Sequence, residues 1–221
     1  MLRFHLITLF PEACDAYLSA SILGRAREAK KIKVDYQTPR DFVTNKWGKV
    51  DERPYGGGPG MVMTALPVVK AIKKSLSRRT GKIAIVWFEP GAKAFDNKEA
   101  DKLGKYDDVV LVCGRYEGID ARAKAMSKTL GKLHIYSVGE AVYTGGEVPA
   151  MAIVDAVTRR IPGVLGKDES VEERRVASHD PYTRPETIEW AGKKHKVPAV
   201  LQTGDHKKID AFRAQKASGK E

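Results

Sequence analysis

Residues 133–149 read LHIYSVGEAVYTGGEVP, and this stretch organises the rest of the chain. Leu133, Ile135 and Tyr136 predict the end of a buried strand. Three glycines and a proline then break the chain, and apolar residues return at the spacing of one helical face at Ala150, Ile153, Val154, Val157 and Ile161. The order is therefore strand, glycine loop, helix. Glycine has no Cβ, so this loop could approach a ligand closely, although a simple chain reversal would also explain it.

The composition indicates a globular protein with a polyanionic partner. The chain has 221 residues, 42% of them hydrophobic, which is enough for one medium domain and a small one. Its 39 Lys and Arg outnumber its 28 Asp and Glu, giving a net charge of +11. This excess favours nucleic acid over a membrane surface as the partner. No apolar run of membrane-spanning length occurs, and the first residues resemble a strand rather than a signal peptide, so we expect a cytoplasmic protein without a membrane anchor.

The cysteines and histidines do not predict a metal site. Cys14 and Cys113 lie far apart in apolar surroundings, which is typical of reduced core residues. No Cys/His spacing fits zinc, and the five histidines are scattered.

Alternation of strand and helix patterns predicts an α/β fold with a largely parallel sheet and helices on both faces. Strands are expected at residues 2–6, 32–36, 83–88, 109–113 and 133–137. Helices are expected at 11–23, at 68–76 with Pro67 in the first turn, and at 97–103, besides the helix that follows Gly146.

Three loops follow three successive predicted strands, at residues 89–91, 114–118 and 139–146. In a parallel sheet such loops all leave the carboxyl edge, which is where ligands bind in open α/β folds. The sequence therefore predicts a small-molecule site built by these loops on a basic protein.

A further glycine-rich loop, RPYGGGPGM, spans residues 53–61. It lacks the Gly-Lys-Ser/Thr of a Walker loop and does not match the dinucleotide-binding fingerprint. Four glycines are more than a plain connection needs, so we expect this loop to lie close to a site. The preceding residues Lys46, Lys49 and Arg53 either contact RNA or belong to a solvated loop.

The chain is expected to divide into a catalytic domain over residues 1–162, a charged linker over 163–180 and a small, mostly helical domain over 181–221. The linker is rich in charge and has little apolar periodicity. In the last segment Asp205 is a candidate N-cap for a helix that carries Ile209 and Phe212. Its basic residues Lys207, Lys208, Arg213 and Lys216 either bind phosphate or are merely solvated.

Five motifs together resemble the bacterial tRNA (guanine-N1)-methyltransferases: RPYGGGPGM, LVCGRYEGID, GG-E-x-PAM, DAV-x-R-x-IPGVLG and YTRP. The resemblance runs through nearly the whole chain, and its motifs are long. It implies a SPOUT-class domain with a C-terminal trefoil knot, S-adenosylmethionine as methyl donor, and a homodimer whose active sites are shared between subunits. It also implies a small tRNA-binding C-terminal domain and methylation of guanine 37 of tRNA, next to the anticodon.

The resemblance assigns the cofactor to the three strand-end loops. The residues it implies are Trp87, Phe88, Glu89, Pro90, Gly114, Tyr116, Glu117, Gly118, Val138, Gly139, Glu140, Ala141, Val142, Tyr143, Gly145, Gly146 and Pro149. The family usually has Asp-Tyr where this chain has Glu140 and Ala141, and Leu-Ser where it has Tyr143 and Thr144. We therefore expect an altered pocket lining on the same backbone pattern. Mg²⁺ is a further candidate cofactor.

Methylation of guanine at N1 requires removal of the N1 proton, which places negative charge on O6. A carboxylate base and a nearby cation suit this chemistry. Arg159 aligns with the family's catalytic arginine, and Glu117 is a second candidate; taken alone, the first resembles an ordinary helix-end residue and the second a solvated carboxylate.

The sequence departs from the family pattern at the position of the general base. The family uses an aspartate in the linker, supplied by the partner subunit, but the matching position here is Arg174, which cannot accept a proton. We expect Glu173 to take this role, with Glu172 as second choice. Two alternatives stay open: a slow or non-catalytic RNA-binding relative, and a different nucleotide-utilising α/β enzyme.

Overall fold

The structure, a computed structural model, describes residues 1–165 and 180–217, with the side chains of 214–217 excepted. The chain divides into two compact units, residues 1–165 and residues 166–221. Each unit is described separately below. Most of the predicted linker lies outside the described residues, so the predicted domain boundaries stay predictions.

The first unit is built around a fully parallel five-stranded sheet. Its strands in chain order are β1 (Leu2–Ile7), β2 (Ile32–Gln37), β3 (Asp51–Glu52), β4 (Val62–Met63), β5 (Ile83–Phe88), β6 (Asp108–Val112) and β7 (Lys132–Tyr136). Its helices are α1 (Pro11–Leu18), α2 (Ser21–Glu28), α3 (Ala65–Ser75), α4 (Asn97–Leu103), α5 (Ala121–Ser127) and α6 (Glu147–Thr158). The sheet order is β2-β1-β6-β5-β7, while β3 and β4 form a separate antiparallel pair.

Apolar residues on both faces of the sheet form two cores, as a parallel sheet covered on both sides requires. One core packs α1, α2, α4 and α6 against the sheet, and the other packs α3 and α5. All five residues of β6 are buried. The predicted α/β fold with a largely parallel sheet is thus confirmed.

The strand β7 differs from the prediction of a buried strand. It pairs only with β5 and lies at the edge of the sheet, so Leu133 and Ile135 are half-buried and Tyr136 is buried. The strands β6, β5 and β7 are neighbours in the sheet, and the loops that follow them therefore leave one continuous stretch of its carboxyl edge.

The prediction of one helix over residues 11–23 is wrong. Two helices, α1 and α2, meet there, and Ser21 has a φ of +50°. A Cβ at Gly24 would lie 2.2 Å from the carbonyl oxygen of Ser19, so glycine permits the close turn between them. As a result Tyr17 and Ile22 are exposed, while Cys14 and Leu18 are buried. The sequence analysis also missed α5, the β3–β4 pair and a 3-10 helix at Pro39–Phe42.

The described part of the second unit contains an antiparallel pair of strands, β8 (Thr187–Trp190) and β9 (Lys193–Lys196), a 3-10 helix at Ala199–Gln202, and a helix α7 (His206–Ala217). The backbone N–H of Lys208 donates to Asp205 Oδ1 at 3.2 Å, in agreement with the predicted cap. The strand pair was not predicted, because Lys193–Lys196 has no apolar alternation. Within the described residues, every helix is too short or too polar to cross a bilayer.

Candidate active site

A pocket lies where β5, β6 and β7 end, at the predicted edge of the sheet. It has about 620 Å³ of empty space, including the part open to solvent. The three strand-end loops supply most of its lining: Phe88, Glu89, Pro90, Gly114, Arg115, Tyr116, Gly118, Val138, Gly139, Ala141, Val142, Tyr143, Thr144, Gly145 and Gly146, together with Tyr136, Ser137 and Pro149.

Three residues predicted to contact the cofactor do not line this pocket. Trp87 is only 5% exposed and packs into the core beneath α3. Glu117 is exposed, and its carboxylate lies beside Gly60, where an added Cβ would come within 2.6 Å of it. Glu140 is exposed to solvent. Conversely, the sequence analysis missed Arg115, Tyr136, Ser137 and Thr144, although Arg115 and Thr144 lie inside two of the predicted loops.

A buried ion pair joins two of the loops behind the pocket. Glu147, the first residue of α6, is 3% exposed, and its Oε2 lies 2.9 Å from Arg115 Nε. The Thr8 hydroxyl donates to Glu147 Oε1 at 2.8 Å and accepts from the Phe10 N–H at 3.0 Å. The Arg115 guanidinium also lies 4.6 Å from the centre of the Phe10 ring. These contacts fix the segment after β1 and the loops after β6 and β7 relative to one another.

The two adjacent glycines are required by packing within the protein. A Cβ at Gly145 would lie 2.4 Å from Arg115 Nε and 2.6 Å from Glu147 Oε2. A Cβ at Gly146 would lie 2.7 Å from Cys113 Cα and 2.9 Å from Gly114 N. The Gly146 N–H donates to the Gly114 carbonyl at 2.9 Å. Packing within the protein, rather than close approach to a ligand, is therefore the main reason why positions 145 and 146 require glycine.

Backbone conformation shapes the rest of the lining. Gly118 and Gly139 have φ values of +117° and +94°. Tyr116 has a φ of +59°, which for a non-glycine residue costs about 1–3 kcal/mol and is most often seen at functional sites. In the third loop the Tyr143 hydroxyl donates to the Val138 carbonyl at 3.1 Å, and this bond closes the loop on itself.

A polar network holds Tyr136, which forms part of the pocket lining. The Tyr136 hydroxyl donates to Glu99 Oε2 at 2.7 Å, and Lys102 Nζ donates to Glu99 Oε1 at 2.7 Å. Hydrogen bonds from Lys102, Lys93 and Tyr136 lower the pKa of Glu99 to about 2. Burial raises the pKa of Tyr136, so its hydroxyl stays protonated and remains a donor.

The loop containing RPYGGGPGM lies against the pocket, as predicted. The Glu117 N–H donates to the Met61 carbonyl, the Met63 N–H donates to the Gly118 carbonyl, and the Asp120 N–H donates to the Met63 carbonyl, each at 2.9 Å. These bonds align the segment around β4 with the loop that follows β6. The β3–β4 pair therefore packs beside a loop that lines the pocket, although its own residues are not part of the lining.

Among the candidate catalytic residues that the structure describes, Arg159 lies at the end of α6 that is farther from the pocket. Arg159 is half-buried at the carboxyl end of α6, whereas Glu147 at the other end of this helix lies behind the pocket. Twelve residues at 1.5 Å rise separate them by about 18 Å. Glu172 and Glu173 lie outside the described residues.

Burial makes the two thiols poor nucleophiles. Cys14 and Cys113 are free and buried, and burial raises the pKa of Cys14 to about 11 and that of Cys113 as well. Both therefore stay protonated near neutral pH. Within residues 1–165 and 180–217, His, Cys, Asp and Glu form no group of three that could hold a metal ion.

A parallel sheet with a glycine-lined pocket at its carboxyl edge, on a strongly basic chain, defines an α/β protein with a candidate small-molecule site. Comparison with known proteins gives the family. Residues 2–221 match the model of the family described as tRNA (Guanine-1)-methyltransferase TrmD. The chain belongs to this family, and the assignment made from its motifs is confirmed.

Similar proteins of this kind occur in several bacteria. A tRNA (guanine-N(1)-)-methyltransferase of Clostridioides difficile is 39% identical over 98% of this chain and 92% of its own length. One of Pseudoalteromonas atlantica is 38% identical over 98% and 80%. One of Oleidesulfovibrio alaskensis is 40% identical over 98% of this chain, which spans only 49% of that longer protein.

Proposed function

We propose that this protein transfers a methyl group from S-adenosylmethionine to N1 of guanine 37 in tRNA. The observation that carries the proposal is the pocket at the ends of β5, β6 and β7, because the loops that form it contain the family's motifs at residues 111–120 and 145–151. The net charge of +11 supports a polyanionic substrate. With tRNA as the substrate, we expect the protein to act in the cytoplasm.

The pocket residues fit S-adenosylmethionine. Phe88, Pro90 and Val138 offer apolar surface to a flat base, and the backbone of the glycine-rich loops offers N–H and C=O groups. When bound, this molecule supplies an activated methyl group on its sulfonium. The ion pair between Arg115 and Glu147 holds the loops in place, so the protein meets the positioning requirement of the transfer without rearrangement.

The position of Arg159 supports a homodimer whose active sites are shared between the two subunits. About 15 Å of helix separates it from Pro149 in the pocket of its own chain, which is farther than a guanidinium reaches. We therefore propose that Arg159 of one subunit stabilises the charge developing on guanine O6 in the pocket of the other subunit. The trefoil knot and a tRNA-binding role for residues 181–221 are part of the same proposal.

For the general base we propose Glu173, with Glu172 as second choice. Either carboxylate would accept the N1 proton, a role that Arg174 cannot fill. Glu117 is the third candidate, and its exposed carboxylate at the pocket rim leaves it free to approach a bound base. Mg²⁺ is kept as a candidate cofactor, since this ion usually retains several waters and binds through only one or two carboxylates.

The proposal is tested by methyl transfer to two tRNA transcripts that differ only in having guanine or adenine at position 37. We expect labelled methyl incorporation with guanine alone, located at N1 by mass spectrometry of the digested RNA. Incorporation into both transcripts, or into neither, would refute it. Glu173→Gln and Glu172→Gln then identify the base: the rate should fall in one of them while tRNA affinity stays unchanged.

The shared site is tested by subunit mixing. Arg159→Ala removes the cation, and Gly145→Val is expected to abolish cofactor binding because its side chain meets Arg115 and Glu147. Each variant alone should be inactive. A mixed dimer contains one intact pocket facing an intact arginine, so activity should return after the two are mixed and re-equilibrated. If Arg159 served the pocket of its own chain, the mixture would stay inactive.

A further inference from the structure

A well-ordered turn presents an exposed tryptophan near the pocket. The Asn45 side chain donates to the Lys49 carbonyl at 2.8 Å and accepts from the Lys49 N–H at 2.7 Å. Arg40 Nη1 donates to the Gly48 carbonyl at 3.0 Å. These bonds fix the backbone on both sides of Trp47, whose side chain is nevertheless 81% exposed. The turn therefore holds a large aromatic ring in place without using it for packing.

A cation accompanies this ring. Lys46 Nζ lies 5.3 Å from the centre of the Trp47 ring, within the range of a cation–π contact. In a free monomer, holding an indole in solvent gains nothing from burial, and tryptophan is enriched at binding interfaces. An ammonium beside the ring disfavours an apolar protein partner and favours an anionic one.

The turn is connected to a pocket loop through the hydrogen bonds of β4. Trp47 stands three positions before Val50, so their Cα atoms are at most about 11 Å apart. The Val50 carbonyl accepts from the Thr64 N–H at 2.8 Å, and the adjacent Met63 is bonded to the Gly118 carbonyl of the pocket loop. Tyr55 is 99% exposed and is followed by Gly56, Gly57 and Gly58, at which an added Cβ would contact nothing within 4 Å.

We propose that Trp47 and Lys46 form a nucleobase-stacking platform for an unpaired nucleotide of the RNA substrate, close to the base that is methylated. The indole stacks on the base, and the ammonium of Lys46 pairs with an adjacent phosphate. Unpaired bases in RNA loops are commonly bound by aromatic stacking of this kind. The inference rests on the proposed function only in taking RNA as the ligand.

The first test measures the affinity of the full chain for the tRNA transcript in four variants. Trp47→Ala should weaken binding about 5- to 150-fold, the range for loss of one stacked base. Trp47→Phe should stay close to wild type, whereas Trp47→Leu, which has no π face, should be as weak as Trp47→Ala. Lys46→Ala should lower the slope of log affinity against log salt by about 0.7–0.9, while Trp47→Ala leaves this slope unchanged.

The second test uses tryptophan fluorescence. The chain has three tryptophans; Trp87 is buried, and Trp190→Phe removes the second exposed one. In that variant the transcript should quench the emission of Trp47 and protect it from acrylamide. A blue shift that depends on protein concentration without RNA would assign Trp47 to contact with a second copy and overturn the proposal. Wild-type affinity in Trp47→Ala, or in Trp47→Leu, would also overturn it.

These outcomes separate the platform from the proposed function. If the wild type methylates the transcript and Trp47→Ala leaves both affinity and KM for tRNA unchanged, the platform is wrong and the function stands. If the wild type does not methylate but Trp47 is quenched by RNA and its variants bind weakly, the function is wrong and the platform stands. S-adenosylmethionine affinity, expected to be equal in all Trp47 variants, checks that the pocket is intact.

Discussion

Replacing Gly146 by alanine should separate the loops that follow β6 and β7. The φ of Gly146 is −78°, so alanine suffers no conformational strain there and the effect is purely steric. Its Cβ would lie 2.7 Å from Cys113 Cα, about 0.7 Å inside the 3.4 Å at which ordinary contacts begin. The obstructing atoms belong to the backbone of Cys113 and Gly114, directly after β6, and they cannot rotate away as a side chain can.

The expected cost follows from these contacts. Overpacking of this size costs about 1–3 kcal/mol, and moving the loops apart also stretches the 2.9 Å bond from Gly146 N–H to the Gly114 carbonyl, worth about 1 kcal/mol. We therefore expect a loss of about 2–4 kcal/mol in the free energy of unfolding, measured by urea denaturation. Calorimetry should show at least tenfold weaker binding of S-adenosylmethionine, because the pocket lining moves with the loops.

Gly91→Ala provides the matched control. Gly91 lies next to Pro90 in the loop after β5, and an added Cβ there meets nothing within 4 Å. This variant should keep both stability and affinity. If Gly146→Ala were as stable as Gly91→Ala and bound the cofactor equally well, the steric argument would be refuted.

Three further predictions follow from the ion pairs and the net charge. Glu147→Gln keeps the hydrogen bond from Thr8 but loses the ion pair with Arg115. The free energy of unfolding should therefore fall by about 1–3 kcal/mol, which lowers the urea midpoint. An unchanged midpoint would contradict this. The pKa of Glu99 is lowered to about 2 from 4.5, so its stabilisation is present above pH 5 and lost as the pH falls towards 2. The stability difference between wild type and Glu99→Gln in urea titrations should accordingly shrink between pH 5 and pH 2, and a constant difference would count against the network. Finally, log affinity for tRNA should fall linearly with log salt by about one unit of slope per phosphate contact, and a flat line would exclude phosphate pairing.

The fold and the pocket location could be predicted from the sequence because they depend on local patterns. Dense apolar runs such as Ile83–Phe88 are typical of strands covered on both faces, and the glycines after such runs mark where strands end. The carboxyl edge of a parallel sheet then becomes the natural place for a ligand. Charge alone pointed to a polyanionic partner.

Long-range packing accounts for what could not be predicted. The edge position of β7 depends on the strand order, which periodicity does not encode, so half-buried Leu133 and Ile135 look the same in sequence as buried residues. The ion pair of Arg115 and Glu147 joins residues from two loops and meets Thr8 from a third part of the chain. Only the three-dimensional arrangement shows that Gly145 makes room for this contact, while Gly146 makes room for the backbone of Cys113.

The backbone of Cys113 lies directly beneath Gly146, and its thiol is 1% exposed and held protonated by its surroundings. A thiol reagent can therefore reach it only in molecules whose loop has lifted away from the sheet. In a Cys14→Ser chain, the rate of modification would report the population of the open loop directly. The modification rate of Cys113 thus measures how often the pocket opens. Any ligand that holds the loop closed should lower this rate in proportion to its occupancy.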